Sequence, residues 1–172
     1  FLNIGTGQGK TRIALIADYL NALKGERVVN LSTQENLIEK DHIDRKDVFN
    51  SLGLISSLVK SDTDFAAKKE AYRKSQRGQP GRIVDTTMSN FIFMFNNELK
   101  ATDPSQRIFD EPVMKDGKFN PQIGFVLLDE SDSLLDVART IFVEAAPGLS
   151  ESPQSVEKIR SAIDIARQML SF

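Results

Sequence analysis

The chain has 172 residues, 40% of them hydrophobic and 27% charged, with a formal net charge of −2 and no cysteine. That is enough for one globular domain with a buried core. The composition excludes disulfides and thiolate metal sites and suits a reducing compartment. No apolar run approaches the roughly 20 residues that span a bilayer, no secretory leader is expected, and the charge balance gives no global case for nucleic acid.

Strand-like and helix-like segments alternate from the start. "FLNI" (1–4) reads as the interior of a strand, and its lack of an initial Met suggests a piece of a longer protein. From Lys10, the residues Ile13, Ala14, Ala17, Leu20 and Leu23 recur at helical spacing, with Gly25 as the stop. "RVVNLS" reads as a buried strand. "QENLIEKDHIDRKDVFNSLG" reads as a helix with Leu37, Ile38, Val48, Phe49 and Leu52 apolar, and His42 as one of its solvated residues. "LISSLV" is a strand, "DFAAKKEAYRKSQ" a charged helix, "GQPG" a break, "RIVDTT" a strand and "SNFIFMFNNEL" a strongly apolar helix that should cover a sheet face.

Residues 100–124 lack periodicity and are long for a loop. "FVLLDES" then reads as a buried strand emptying into acids, and "RTIFVEAAPG" as a further strand. The tail "SPQSVEKIRSAIDIARQML" reads as an amphipathic helix. Two divisions follow, a nucleotide-binding domain at 1–150 and a C-terminal amphipathic helix at 151–172. The alternation predicts an α/β, three-layer fold with a mostly parallel sheet between helices. In such sheets ligands bind at the carboxyl ends of the strands.

Two motifs fall at those ends. In "IGTGQGKT" the glycines Gly5, Gly7 and Gly9 let successive backbone N–H groups turn inward, and the following helix adds its positive end. Lys10 is placed to reach the β- and γ-phosphates of ATP, or the β-phosphate of ADP, and the Thr11 hydroxyl to ligate Mg²⁺. Ile4 stands where the strict G-x-x-x-x-G-K-[ST] pattern has Gly. "VLLDESDS" supplies the matching half. Asp129 would hold Mg²⁺ through water, and Glu130 would polarise the attacking water. Asp132 makes the motif D-E-x-D, as in superfamily 2 motors. Lys60, Lys68, Lys69, Arg73, Lys74, Arg77 and Arg82 form a local basic cluster, which reads either as solvated helix surface or as a polyanion contact.

These residues resemble the first nucleotide-binding, RecA-like domain of SecA, the protein-translocase motor ATPase. "TGQGKT" is similar to that family's TGEGKT, "FNSLGL" to its YEFLGL, and "LLDESDSLLDVART" to its IVDEVDSILIDEART. The likeness runs from Ile4 to about Val143. It implies catalytic roles for Lys10, Asp129 and Glu130, nucleotide contacts by Thr6, Gly7, Gln8, Gly9, Lys10 and Thr11, and Mg²⁺ contacts by Thr11 and Asp129. Arg139 matches the arginine of the family's DEART motif.

The block from Asp85, "DTTMSNFIFMFNNEL", departs from the family's YGTNNEFGFDYLRDN, so its coupling role is in question. The resemblance also implies a second RecA-like domain in the full-length chain, preprotein and a membrane translocon as partners, and a cytoplasmic location, peripheral to the membrane. Without the arginine fingers of that second domain, worth about 10³–10⁵ in rate where measured, this segment alone should hydrolyse ATP very slowly. Two other readings stay open, the first RecA-like domain of a DEAD-type nucleic-acid helicase and a docking or regulatory module that keeps nucleotide binding.

Overall fold

The computed structural model describes residues 9–101, 103–112, 114–115, 118–119 and 122–129. Along them run α1 (Lys10–Leu23), β1 (Val28–Ser32), α2 (Glu35–Ser51), β2 (Ile55–Val59), α3 (Phe65–Ala71), β3 (Arg82–Thr87), α4 (Met88–Lys100), a 3-10 turn (Pro104–Gln106), β4 (Met114–Lys115), β5 (Lys118–Phe119) and β6 (Phe125–Leu128). The main sheet has the order β2-β3-β1-β6, and every neighbouring pair in it is parallel. Parallel neighbours need crossover connections, which the helices supply. The expected mostly parallel sheet with helices is the one observed. Inside 100–124 the short strands β4 and β5 pair antiparallel, a hairpin too brief to show periodicity.

Side-chain alternation along the strands sorts the core into two halves. Val29, Leu31, Val59 and Val84 meet Tyr72, Phe91 and Met94 from α3 and α4, joined by Ile108 and Phe109. Val28 and Ile83 point the other way, onto Ala22 of α1, Phe49 of α2 and Leu54. The sheet therefore lies between an α1/α2 layer and an α3/α4 layer. The "SNFIFMFNNEL" segment covers a sheet face as expected, burying Phe91, Ile92 and Met94 while Phe93 faces solvent.

Three expectations need correction. On α1, Ile13, Leu20 and Leu23 are exposed, and the buried face is instead Asp18 and Ala22, with Leu15 and Tyr19 partly buried against the core. Positions 15, 18, 19 and 22 have the same i, i+3, i+4, i+7 spacing, but a carboxylate in the middle disguises it. On α2 only Ile38 and Phe49 of the five apolar residues are buried. β6 is half exposed along alternate positions, because Val126 and Leu128 lie on a side that no described residue covers fully. The "FLNI" strand, the "RTIFVEAAPG" strand and the tail helix lie outside the described residues.

Gly25 and Gly53 end α1 and α2 in the left-handed region, at φ 82° and 75°, as their positions suggested. Gly81 is glycine for a different reason. It enters β3 so close to the α1–β1 connection that a Cβ there would lie 1.6 Å from the Glu26 carbonyl oxygen. Gly81→Ala should thus destabilise the domain by about 2–3 kcal/mol through forced backbone movement. Gly78→Ala, with open space around it, should cost about 1–2 kcal/mol for its left-handed backbone alone. Urea unfolding of the two variants reads the difference directly.

Candidate nucleotide site

The N-terminus of α1 is open in a way that the other described α-helices are not. Its N-cap is Gly9, in the left-handed region at φ 85°, so no side chain caps it, and its first turn holds no acid. By contrast, Asp64 caps α3, Thr87 caps α4, and α2 begins with Glu35. A helix start has amides without intrahelical acceptors and a partial positive charge. At α1 no described side chain compensates either of them, and Lys10 and Thr11, its first two residues, are exposed beside them.

Topology brings this end to the acidic motif. α1 rises about 21 Å over its length and turns straight into β1, whose five residues span about 16 Å. The start of α1 therefore returns to the carboxyl end of the sheet. Asp129 follows β6 at that same end. Its amide donates to the Leu31 carbonyl at 3.1 Å, which extends the β1–β6 register through it. Asp129 is half-buried, and α1 packs on β6. Thus Gly9, Lys10, Thr11 and Asp129 share one end of the sheet. Thr6, Gly7, Gln8 and Glu130 lie outside the described residues, as do Asp132 and Arg139. An uncapped helix start with a lysine and a hydroxyl, facing the end where a carboxylate emerges, suits a polyphosphate and a divalent cation.

Beside this end lies a buried polar network with no counterpart among the sequence-based candidates. Asp85 in β3 and Asn30 in β1 are register partners on the α1/α2 side of the sheet. Asn30 Nδ2 donates to Asp85 Oδ1 at 2.8 Å and to Asp18 Oδ2 of α1 at 2.9 Å. Arg45 of α2 forks across both carboxylates, reaching Asp85 Oδ1 at 3.0 Å and Asp18 Oδ2 at 3.3 Å. His42 Nδ1 lies 2.7 Å from Asp85 Oδ2, and the Ser56 hydroxyl donates to the same oxygen at 3.4 Å. His42, read from sequence as solvated, is in fact buried. Its charged neighbours on α2 concealed that, since it faces the one acid in β3.

The network's electrostatics are uneven. Burial pushes the Asp18 carboxyl up to about 6, with Arg45 and the Asn30 hydrogen bond opposing and Asp85 adding. Its Oδ1 is buried without a hydrogen-bond partner among the described residues. Burial likewise raises Asp41, one turn before Arg45, where Arg45 opposes the rise and the charges of Asp129, Asp85 and Asp44 reinforce it. Asp41 thus lies in the fields of both the network and the motif acid.

Comparison with known proteins decides the family. The model of the SecA DEAD-like domain matches residues 1–170. The chain belongs to the SecA DEAD-like domain family. Among its relatives is protein translocase subunit SecA of Dichelobacter nodosus, 33% identical over 143 residues, covering 83% of this chain and 14% of that protein. Protein translocase subunit SecA of Borrelia garinii is 30% identical over 150 residues, covering 85% of this chain and 14% of that protein. Protein translocase subunit SecA 2 of Lactobacillus johnsonii is 31% identical over 141 residues, covering 80% of this chain and 16% of that protein. The chain thus spans about one-seventh of the length of the relatives it matches.

Within this SecA DEAD-like domain, Asp85, the hub of the network, opens the block "DTTMSNFIFMFNNEL". The signal for the network was available in the sequence, since Asn30 and Asp85 are strongly polar side chains inside strands that are buried throughout.

Asp18 gives the network a pH signature. Its folded value of about 6 exceeds the ordinary carboxylate value of 3.8, so the folded state binds the proton more tightly. The resulting stabilisation is fully present below the unfolded value and is lost as the pH rises through about 6. Asp18→Asn removes this dependence. Relative to wild type the variant should gain on the order of 3 kcal/mol in unfolding free energy between pH 3.8 and 7, measured by urea unfolding across that range. A constant difference between the two proteins would exclude the assignment.

Proposed function

We propose that this SecA DEAD-like domain binds ATP or ADP with Mg²⁺ at the carboxyl end of its sheet and serves as the ATP-hydrolysing motor domain of a protein translocase. The observation that carries the nucleotide assignment is the open N-terminus of α1, with Lys10 and Thr11 at the end of the sheet where Asp129 emerges. The names of the relatives support the translocase assignment.

In this reading Thr6, Gly7, Gln8 and Gly9 wrap the phosphates with backbone N–H groups, which the α1 dipole reinforces. Lys10 neutralises the terminal phosphates, and Thr11 and Asp129 hold the hydrated cation. Glu130 orients and polarises the attacking water. The bound cation and nucleotide supply the electrophilic phosphoryl group and the charge that offsets its oxygens.

The nucleotide-binding domain takes residues 1–150 and the amphipathic helix 151–172. A second RecA-like domain of the full-length chain closes the site, and preprotein and a membrane translocon are its working partners. No described helix is long and apolar enough to cross a membrane. A cytoplasmic location, peripheral to the membrane, belongs to the same proposal. The basic cluster does not favour a nucleic-acid partner, because Lys60 pairs with Glu35 and Glu39, and Arg73 and Arg82 pair with Glu70.

Titration of the full-length protein with labelled ADP and Mg²⁺ tests the site. Lys10→Ala should weaken ADP at least tenfold. Asp129→Asn should leave ADP affinity without Mg²⁺ nearly unchanged and abolish the gain that Mg²⁺ brings. Wild-type affinity in Lys10→Ala would refute the assignment. Steeply salt-dependent RNA binding that competes with ADP would point to a helicase instead.

A further inference from the structure

Resting on the nucleotide reading above, we infer that binding at the start of α1 is regulated by one buried proton. Asp18 is a neutral carboxylic acid hydrogen-bonded to Asn30, and its ionisation weakens nucleotide affinity.

The hydrogen-bond inventory assigns the proton to Asp18. Among the described residues one fixed cation, Arg45, answers two fully buried carboxylates, Asp18 and Asp85. Asp85 is served on both oxygens, with Asn30 and Arg45 donating to Oδ1 and with Ser56 and His42 on Oδ2. Asp18 receives both of its contacts, from Asn30 and Arg45, on Oδ2. Its Oδ1 and the Asn30 Oδ1 are buried acceptors with no donor among the described residues. Those two atoms belong to side chains already joined at 2.9 Å, Asn30 Nδ2 to Asp18 Oδ2. Because Nδ2 serves two carboxylates at once, the amide orientation is fixed. A proton on Asp18 Oδ1 turns that atom into a donor, and Asn30 Oδ1 is the acceptor that closes an acid–amide pair. One proton then removes a buried charge and satisfies both unmet atoms. It leaves Asp85 and Arg45 as a matched pair.

Each element packed on α1 contributes to this balance. α2 presents Arg45, with His42 on the far oxygen of Asp85 and Asp41 one turn earlier. β3 presents Asp85, and β1 the neutral Asn30. β6 is followed by Asp129. On α1 itself the other charged side chains, Lys10 and Arg12, are exposed. Burial pushes the Asp18 carboxyl up to about 6, so its ionisation falls close to neutral pH.

Asp18 and the first turn of α1 share one helix, about 12 Å apart along its axis. At an effective dielectric of about 20, a unit charge at that distance changes the affinity for a singly charged anion about tenfold. Mg²⁺ and salt screen part of that effect. Neutral Asp18 therefore favours nucleotide, and by linkage nucleotide favours the proton.

Calorimetric titration of the full-length protein with ADP and Mg²⁺, from about pH 5 to about pH 7.5, spans the Asp18 transition. Wild type, Asp18→Asn and Lys10→Ala are compared. Asparagine keeps the shape of the neutral acid and donates where its O–H does, so Asp18→Asn should fold and bind. Titration of ADP itself is common to both proteins and cancels in the ratio of their affinities. That ratio should be near one at the acid end and favour Asp18→Asn about threefold or more at the alkaline end. Near the Asp18 transition, wild type should also take up more protons on binding than Asp18→Asn, read from heats in buffers of different ionisation enthalpy. Lys10-dependent binding with a constant ratio, or with equal proton uptake, would overturn the proton link alone. ADP binding unaffected by Lys10→Ala would overturn the nucleotide reading and the link with it.

Discussion

The α1/α2 side of the sheet is organised around the Asp85 carboxylate. It sits in the middle strand pair, receives the Arg45 guanidinium, the Asn30 amide and the Ser56 hydroxyl, and pairs with His42. Through Arg45 and Asn30 it also holds Asp18, so one strand acid links β1, β2, α1 and α2. A buried ion pair adds little net stability compared with apolar residues of the same shape, but losing one partner leaves a charge that the interior cannot solvate. The pair therefore matters most for geometry. It fixes how α1 and α2 lie on the sheet, and the first turn of α1 is where phosphate would be met.

That arrangement divides the face along the strands. Near the strand entrances, Val28, Ile83, Ala22, Phe49 and Leu54 form an ordinary apolar core. Toward the carboxyl ends the same face turns polar, with Asn30 and Asp85, and the open start of α1 lies beyond. The gradient from oil to charge runs toward the candidate nucleotide end, and Asp41 carries it on to the field of Asp129. On the other face, α3 and α4 cover an apolar core centred on Tyr72 and Phe109, whose rings meet edge to face at 5.6 Å. One layer holds the sheet by packing, the other by packing and charge together.

Much of this was legible in the sequence. β1 and β3 match "RVVNLS" and "RIVDTT" closely, and the glycines at 25 and 53 stop their helices, because local propensity and tertiary need agree there. The placement of Lys10, Thr11 and Asp129 at one sheet end also follows from strand–helix alternation alone. The network did not, since each of its members looks ordinary in its own segment. Asp18 interrupts the apolar face of α1 and shifted the apparent stripe by two or three residues. His42 and Arg45 sit among other charges on α2, where nothing local marks them as buried. Long-range partnership decided their burial, and a single sequence records that only as polar residues at inward-facing strand positions.

The claim that Asp85 and Arg45 act as one unit is open to direct measurement by a double-mutant cycle. Unfolding free energies would be compared for wild type, Asp85→Leu, Arg45→Met and the double variant at neutral pH. Each single change should cost about 3–5 kcal/mol, because it strands a buried partner. The double variant should lie closer to wild type than either, with a coupling of about 3 kcal/mol or more. Strictly additive losses would contradict the account, since Asp85 and Arg45 would then contribute to the α1/α2 layer independently.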